Sequence, residues 1–294
     1  MLVTPQQNNK NLAKHFSLPN LFIKREDLHP YTSHKGRAIP FMIEHHITKD
    51  TVREFTISST GNAALAAILF VKKYNRQNTK KPITLTVYVG KRIPEKKYEK
   101  LLQEISDKHI HLFQVERPKK TAFQKGQEEG VIFLRQSTNP TALIGYNSLA
   151  EELDTIPQLG AIFIPTSSGT TAQALGEWFY LKQKDVQIHI VQTTACSPIA
   201  KRFDTNYTQT PTSLANCIGD VVAHRKESVV EIIKKTEGFG WVVDDTIIKE
   251  AQKLLSANNI EATPNGALSV AGLIKAKKQG WGTKKNVVCI ISGI

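Results

Sequence analysis

The chain has 294 residues, 40% of them hydrophobic and 22% charged, with 17 Gly and 13 Pro, which fits a globular protein with a substantial core and excludes disordered and fibrous classes. Lys plus Arg at 39 against Asp plus Glu at 26 leave a net charge of +13, a balance that raises nucleic acid as a partner. The basic residues are dispersed, however: KRIPEKKYEK at 91–100 also carries glutamates, and the lysine pairs at 72–73, 119–120, 234–235, 277–278 and 284–285 fall in separate stretches, which favours solvated faces over a nucleic-acid footprint.

In chain order, β-rich runs at 21–23, 54–58, 84–89, 111–115, 161–165, 188–192 and 286–291 read as strands. Apolar spacing and end signals predict helices over 61–74, 95–107, 146–153, 171–182, 245–257 and 266–278. Asp244-Asp245 before an apolar run is an N-cap signal, and Gly280 closes the last helix. The alternation is that of an α/β protein, and with no linker rich in Gly and Ser, any two domains share a broad interface. Cys196, Cys217 and Cys289 are odd in number and far apart, so neither a disulfide framework nor a thiolate metal site is expected, and no metal is implied. The longest apolar run, 63–71, is too short to span a bilayer, and residues 1–10 lack the blocks of a signal peptide; the expectation is a cytoplasmic protein without a membrane partner.

Ligands of open α/β sheets bind beyond the carboxyl ends of strands, which directs attention to the segments after Ser58, Pro165 and Ile291. Ahead of these, IKREDLHPYTSHKGR at 23–37 runs from a strand through a polar turn to Lys35 at a helix start. Partial desolvation and the positive helix end both disfavour the ammonium and raise the amine fraction, as Schiff-base chemistry needs; taken alone, a lysine in that position is more often simply exposed. TISSTGNAA at 56–64 stops a β-branched strand at Ser58, Ser59 and Thr60 and opens a helix through Gly61-Asn62. Helix-start amides there suit a carboxylate, or simply form a cap. IFIPTSSGTT at 162–171 repeats the arrangement, and its closely spaced amides with Thr166, Ser167, Ser168, Thr170 and Thr171 suit a phosphate, with a plain helix cap as the alternative. It has neither the Walker lysine nor the dinucleotide glycine fingerprint. The terminal strand VVCIISGI brings Ser292 to a carboxyl edge.

Taken in order, Thr4-Pro5, KREDLHP, SHKGR, SSTGN, NPTALIGYNSLAEEL, TSSGTT, ATPNGALSVAGL and ISGI resemble the fold-type II pyridoxal-phosphate enzymes, the tryptophan synthase β-like superfamily that includes threonine synthase, serine/threonine dehydratases and cysteine synthase. The resemblance runs nearly end to end. It implies an α/β fold of two three-layer open-sheet domains: a larger cofactor-binding domain (1–44 with 141–294) and a smaller mobile domain (45–140) whose closure on substrate excludes water. It implies pyridoxal 5'-phosphate as cofactor, with Lys35 as the lysine that binds it and moves protons at the substrate carbon. Asn62 would hydrogen-bond the cofactor's phenolic oxygen; Ser59, Thr60, Gly61 and Asn62 would hold the substrate carboxylate; Thr166, Ser167, Ser168, Gly169 and Thr170 would hold the phosphate; and Ser292 would face the pyridine nitrogen. A hydroxyl in that last place leaves the nitrogen largely unprotonated and favours elimination or replacement at Cβ.

The activity so implied is β-elimination or replacement on a serine- or threonine-like amino acid, by a homodimeric enzyme of amino-acid biosynthesis whose partner is a small amino acid and not a nucleic acid. Three features depart from the usual pattern. Thr166 and Ser168 stand where the phosphate loop has glycines, Thr263-Pro264 stands where many members carry Glu-Pro, and His34 precedes the lysine where dehydratases carry Phe. The spacing around HKGRAIPFMIEHH and TSSGTTAQALG also resembles the D-cysteine desulfhydrase and aminocyclopropane-carboxylate deaminase branch, and a catalytically silent ligand-binding member is a further alternative.

Overall fold

A computed structural model describes residues 3–293. In chain order the elements begin with β1 (Gln6–Asn8), α1 (Lys10–His15), β2 (Leu21–Arg25), α2 (Lys35–Asp50), β3 (Glu54–Ser58), α3 (Asn62–Gln77), β4 (Thr84–Gly90) and α4 (Glu95–Glu104). Next come β5 (Ile110–Val115), α5 (Pro118–Lys125), β6 (Val131–Phe133), α6 (Thr141–Ile144), α7 (Asn147–Asp154), β7 (Leu159–Pro165), α8 (Thr170–Leu181) and β8 (Gln187–Thr193). The series ends with α9 (Lys226–Lys235), β9 (Phe239–Val243), α10 (Asp245–Ser256), α11 (Pro264–Lys278) and β10 (Asn286–Ile291). All seven strands expected from the sequence are present within a few residues of their ends. The short β1 and β6, and β9 with its internal Gly240, carry too weak a β pattern to be read from sequence.

The contacts divide the chain into two units, one joining residues up to His29 with Tyr146 onward and the other formed by Pro30–Gly145. Lys35 and α2 therefore go with the smaller unit, where the sequence reading groups them with the larger. The reason is packing: α2 lies against α3 and α6, all within 30–145.

In the larger unit six strands follow the order β1-β2-β10-β7-β8-β9, parallel except for β1 at the edge. Every residue of β7 and β10 is buried, as expected of central parallel strands covered on both faces. In the smaller unit four parallel strands follow the order β5-β4-β3-β6, and β4 alternates between buried and half-buried positions. Parallel pairing puts the carboxyl ends of all strands in a sheet on one edge, so β7 and its neighbour β10 release TSSGTT and Ser292 on the same side.

Several buried polar side chains of the larger unit are paired with one another or with the backbone. Lys24, with no exposure, donates to Glu152 and to the carbonyl of Thr4 at 3.0 Å. Lys275 Nζ lies 2.6 Å from both Asp204 Oδ2 and the carbonyl of Val242, while Asp204 also accepts from the Val242 amide at 2.9 Å. His189 on β8 is 1% exposed and stacks on Phe163 with ring centroids 4.5 Å apart. Its Nδ1 accepts from Trp241 Nε1 at 3.2 Å, which leaves the proton on Nε2, 3.2 Å from Gln187 Oε1. Burial pushes the His189 pKa down to about 3, so the ring is neutral when folded and titrates near the ordinary value when unfolded. Between about pH 3 and the ordinary value the unfolded chain binds the extra proton, so stability falls as pH drops through that window. Urea denaturation should therefore show a slope of about 1.4 kcal/mol per pH unit between roughly pH 4 and 6, in excess of that shown by His189→Phe.

Candidate active site

In the smaller unit, Lys35 is the first residue of α2, and its backbone amide donates to Ser33 Oγ at 3.3 Å. The turn ahead of it is forced: Thr32 adopts φ +67°, a left-handed conformation that a β-branched side chain rarely takes, and its Oγ1 is buried without a hydrogen-bond partner. Tyr31 is half-buried, and burial followed by the nearby Glu44 carboxylate raises the pKa of its phenol, which keeps it protonated. Gly145, from the NPTALIGYNSLAEEL stretch, is needed for close approach, because a Cβ there would lie 2.7 Å from Ala38 Cα and 3.0 Å from the Arg37 carbonyl. That contact seats the first turn of α2.

The second motif of this unit is the turn from β3 into α3. Gly61 is the N-cap of α3 with no capping side chain, Asn62 is its first residue, and a Cβ on Gly61 would meet open space. Ser59 Oγ accepts from the Gly61 amide at 3.3 Å, so this hydroxyl shapes the turn, while Thr60 is exposed. Because α2 and α3 pack together, the amine-bearing helix and the helix expected to hold a carboxylate belong to one body.

The larger unit carries the third and fourth motifs. Gly169, at φ +92°, is the N-cap of α8 and has no side chain with which to cap the helix. A Cβ at Gly169 would lie 2.7 Å from Val229 Cγ2, so the position is restricted to glycine by space as well as by conformation. The hydroxyls of the loop divide into two groups. Thr166 directs its amide to the Val191 carbonyl at 2.9 Å and its Oγ1 to the Ile164 carbonyl at 2.9 Å, so both of its donors are committed to the protein. Ser167 Oγ accepts from the amides of Gly219 and Asp220 at 3.3 and 3.2 Å. Ser168 Oγ and Thr170 Oγ1 lie 3.0 Å apart at the start of the helix.

Ser292 follows directly on β10 and is half-buried. Beside it, Thr263 caps α11: its Oγ1 accepts from the Gly266 amide at 3.2 Å and donates to the Gly293 carbonyl at 3.3 Å. Thr263, where many relatives of the resemblance carry a carboxylate, thus ties the end of β10 to α11.

These observations meet the comparison with known proteins. Residues 2–293 match the family described as "Pyridoxal-phosphate dependent enzyme". The chain belongs to this family. It is 26% identical over 301 residues to the biosynthetic L-threonine dehydratase of Haemophilus influenzae, covering 99% of this chain and 56% of that protein. It is also 26% identical over 317 residues to the threonine synthase of Methanocaldococcus jannaschii, covering 99% of this chain and 74% of the relative. The chain thus spans little more than half the length of the first and about three quarters of the second. Among solved structures, maize serine racemase matches with a TM-score of 0.80 at 18% identity, covering 99% of this chain and 87% of that one, a likeness of fold. The fold is tryptophan synthase β-like, and pyridoxal phosphate is the family's cofactor.

The residues present fit that cofactor. In the smaller unit Lys35 is a primary amine at a helix start, and in the larger unit the start of α8 beyond a left-handed Gly169 has backbone amides of the kind that suit a phosphate. Two residues important to the loop escape sequence reading. Gln192, fully buried at the end of β8, donates from Nε2 to the carbonyls of Thr166 and Ser167 at 3.2 and 3.4 Å. Its Oε1 accepts from the amides of Ile199 and Ala200 at 2.9 and 2.8 Å. The other is Arg225, 9% exposed and packed against Gly169. Neither lies in a motif, and the only sequence hint is that Gln192 ends a strand next to the one bearing the loop.

Two outcomes follow from this geometry. Gln192→Leu leaves buried amides and carbonyls unpaired and should cost about 3 kcal/mol in chemical denaturation. Thr32→Gly removes the left-handed strain and the unpartnered hydroxyl, partly offset by the greater entropy of an unfolded glycine, and should raise stability by about 1 kcal/mol.

Proposed function

We propose that this chain is a cytoplasmic, homodimeric enzyme of amino-acid metabolism that performs β-elimination or replacement on a serine- or threonine-like amino acid. The observation that carries the reading is Lys35 at the start of α2, in one packed body with the SSTGN helix start. It is supported by similarity over 99% of the chain to both a threonine dehydratase and a threonine synthase, each named for the hydroxyamino acid threonine.

Each unit contributes its own residues to the chemistry. From the smaller unit, Lys35 would bind the cofactor and carry a proton to or from the substrate α-carbon, and Asn62 would hydrogen-bond the cofactor's phenolic oxygen. The substrate carboxylate would be held by the turn at Ser59, Thr60 and Gly61, with the Thr60 hydroxyl and the first amides of α3 as donors, since Ser59 Oγ already accepts within the turn. From the larger unit, the turn at 166–170 would hold the phosphate through the amides of α8 and the hydroxyls of Ser168 and Thr170, with Ser167 and Thr166 bracing the loop. Ser292 would meet the pyridine nitrogen with a neutral hydroxyl. The bound cofactor supplies the electron sink that stabilises negative charge at the α-carbon, and the protein supplies orientation and proton management.

Purified protein incubated with pyridoxal phosphate should acquire an absorption band at the violet edge of the visible, which borohydride abolishes and Lys35→Ala lacks. A panel of amino acids scored for 2-oxo acid, ammonia, sulfide and phosphate should give turnover with a serine- or threonine-like substrate, reduced about a thousandfold or more by Lys35→Ala. Release of sulfide from D-cysteine or opening of aminocyclopropane carboxylate in place of those products would replace this assignment with the desulfhydrase or deaminase branch. A chain that never takes up the cofactor would overturn it altogether.

A further inference from the structure

The loop expected to hold the cofactor phosphate, TSSGTT, contains no charged residue. A dianionic group held by amides and hydroxyls alone forgoes the stronger charge-assisted bonds that a cation provides. The structure supplies a cation from a distant segment. After the loop reached through Gly219 and Asp220, both of which donate to Ser167 Oγ, the chain turns through Asp220 Oδ1 accepting from the Ala223 amide at 3.1 Å and arrives at Arg225, the N-cap of α9. This segment therefore follows the phosphate loop from Ser167 to Gly169.

At its end the approach is close. A Cβ on Gly169 would lie 3.5 Å from Arg225 Cβ, and Arg225 Nη1 donates to Gln173 Oε1 at 3.1 Å. Gln173 is in the first turns of α8, and its amide bonds the Gly169 carbonyl at 2.9 Å. The guanidinium thus lies against α8 at Gln173, one turn from the Gly169 helix start. Gln173 Nε2 in turn donates to Glu177 Oε1 at 2.7 Å, which fixes the amide so that its oxygen faces the arginine. The side chain is buried, and burial lowers its pKa while Glu177 and Tyr146 raise it; an arginine remains charged under such influences. In a partly desolvated position each favourable contact between that charge and an anion is strengthened.

We propose that Arg225 is a positioning residue for the cofactor phosphate, supplying from the start of α9 the positive charge that the TSSGTT loop lacks. The inference rests on the pyridoxal-phosphate reading given above and goes beyond it by assigning charge recognition to a residue outside the recognised motifs. Gln173 holds the guanidinium at the flank of α8, and Val229, one turn along α9, fixes the distance between the two helices by packing on Gly169.

The test compares pyridoxal phosphate with pyridoxal, which keeps the aldehyde and ring and lacks the phosphate. Apo forms of the parent, Arg225→Ala, Arg225→Gln and Arg225→Lys are titrated with each compound at the violet-edge band, and the bound phosphate is followed by phosphorus NMR. Arg225→Ala and Arg225→Gln should weaken pyridoxal phosphate about ten- to a hundredfold, leave pyridoxal within about twofold, and shift the phosphorus resonance. Arg225→Lys should recover part of the loss. Should Arg225→Ala fail to fold, Arg225→Gln, which retains an amide donor for Gln173, provides the same comparison. Equal weakening of both compounds would show a purely structural role and overturn the proposal, as would unchanged affinity with an unchanged phosphorus resonance. If the parent itself takes up neither compound, the cofactor reading fails and this inference fails with it, a result separable from the others by the absence of the band in every variant.

Discussion

Parallel pairing constrains everything that matters about the chemistry of this chain. A parallel sheet releases all of its strand-to-helix turns at one edge, and each such turn begins a helix whose first amides have no partner within it. In the smaller unit this constraint yields the SSTGN turn, and in the larger one it brings TSSGTT and Ser292 from the adjacent strands β7 and β10 to the same edge. Both of these helices start at a glycine N-cap, which has no side chain to bond the first amides, whereas α1, α10 and α11 are capped by Asn9, Asp244 and Thr263. An uncapped start beside small residues is where an anionic ligand group can replace the missing cap.

Holding such a turn open requires support from elsewhere in the fold. At TSSGTT that support has three parts: Gln192 grips two loop carbonyls from β8, Val229 packs on Gly169 from α9, and Ser167 takes two amides from the segment at 219–220. The replacement of two familiar glycines by Thr166 and Ser168 is accommodated because Thr166 turns its hydroxyl back to the strand carbonyl of Ile164. That leaves the backbone path of the loop in the hands of Gly169, the one position where φ is positive. The +13 charge of the chain is a background field, and the start of α8 itself offers amides and hydroxyls with one buried arginine alongside.

Much of this organisation is legible in the sequence because it is local. The alternation of strands and helices follows from apolar periodicity, and the turn after β3 can be read from Ser-Ser-Thr-Gly-Asn alone. Where local signal is weak the reading fails: β6 has three residues, β1 is an edge strand of polar residues, and β9 places Gly240 against Ala200 Cα, a close approach that only the packed structure reveals. The grouping of α2 with the smaller unit has the same origin, since it depends on contacts with α3 and α6 that periodicity does not encode.

The sequence by itself determined the α/β class, the order of the motifs and the residue types suited to a phosphate, a carboxylate and Schiff-base chemistry, because each of these is written in a few consecutive residues. Only the tertiary structure decided which hydroxyls of those motifs are already engaged, with Ser59 and Ser167 accepting backbone amides and Thr166 bonded to a carbonyl. It alone brought Gln192 and Arg225 to the loop at 166–170. The physical reason is that a hydroxyl or a guanidinium acquires its role from its neighbours, and in a parallel fold those neighbours arrive from strands and helices far away in the chain.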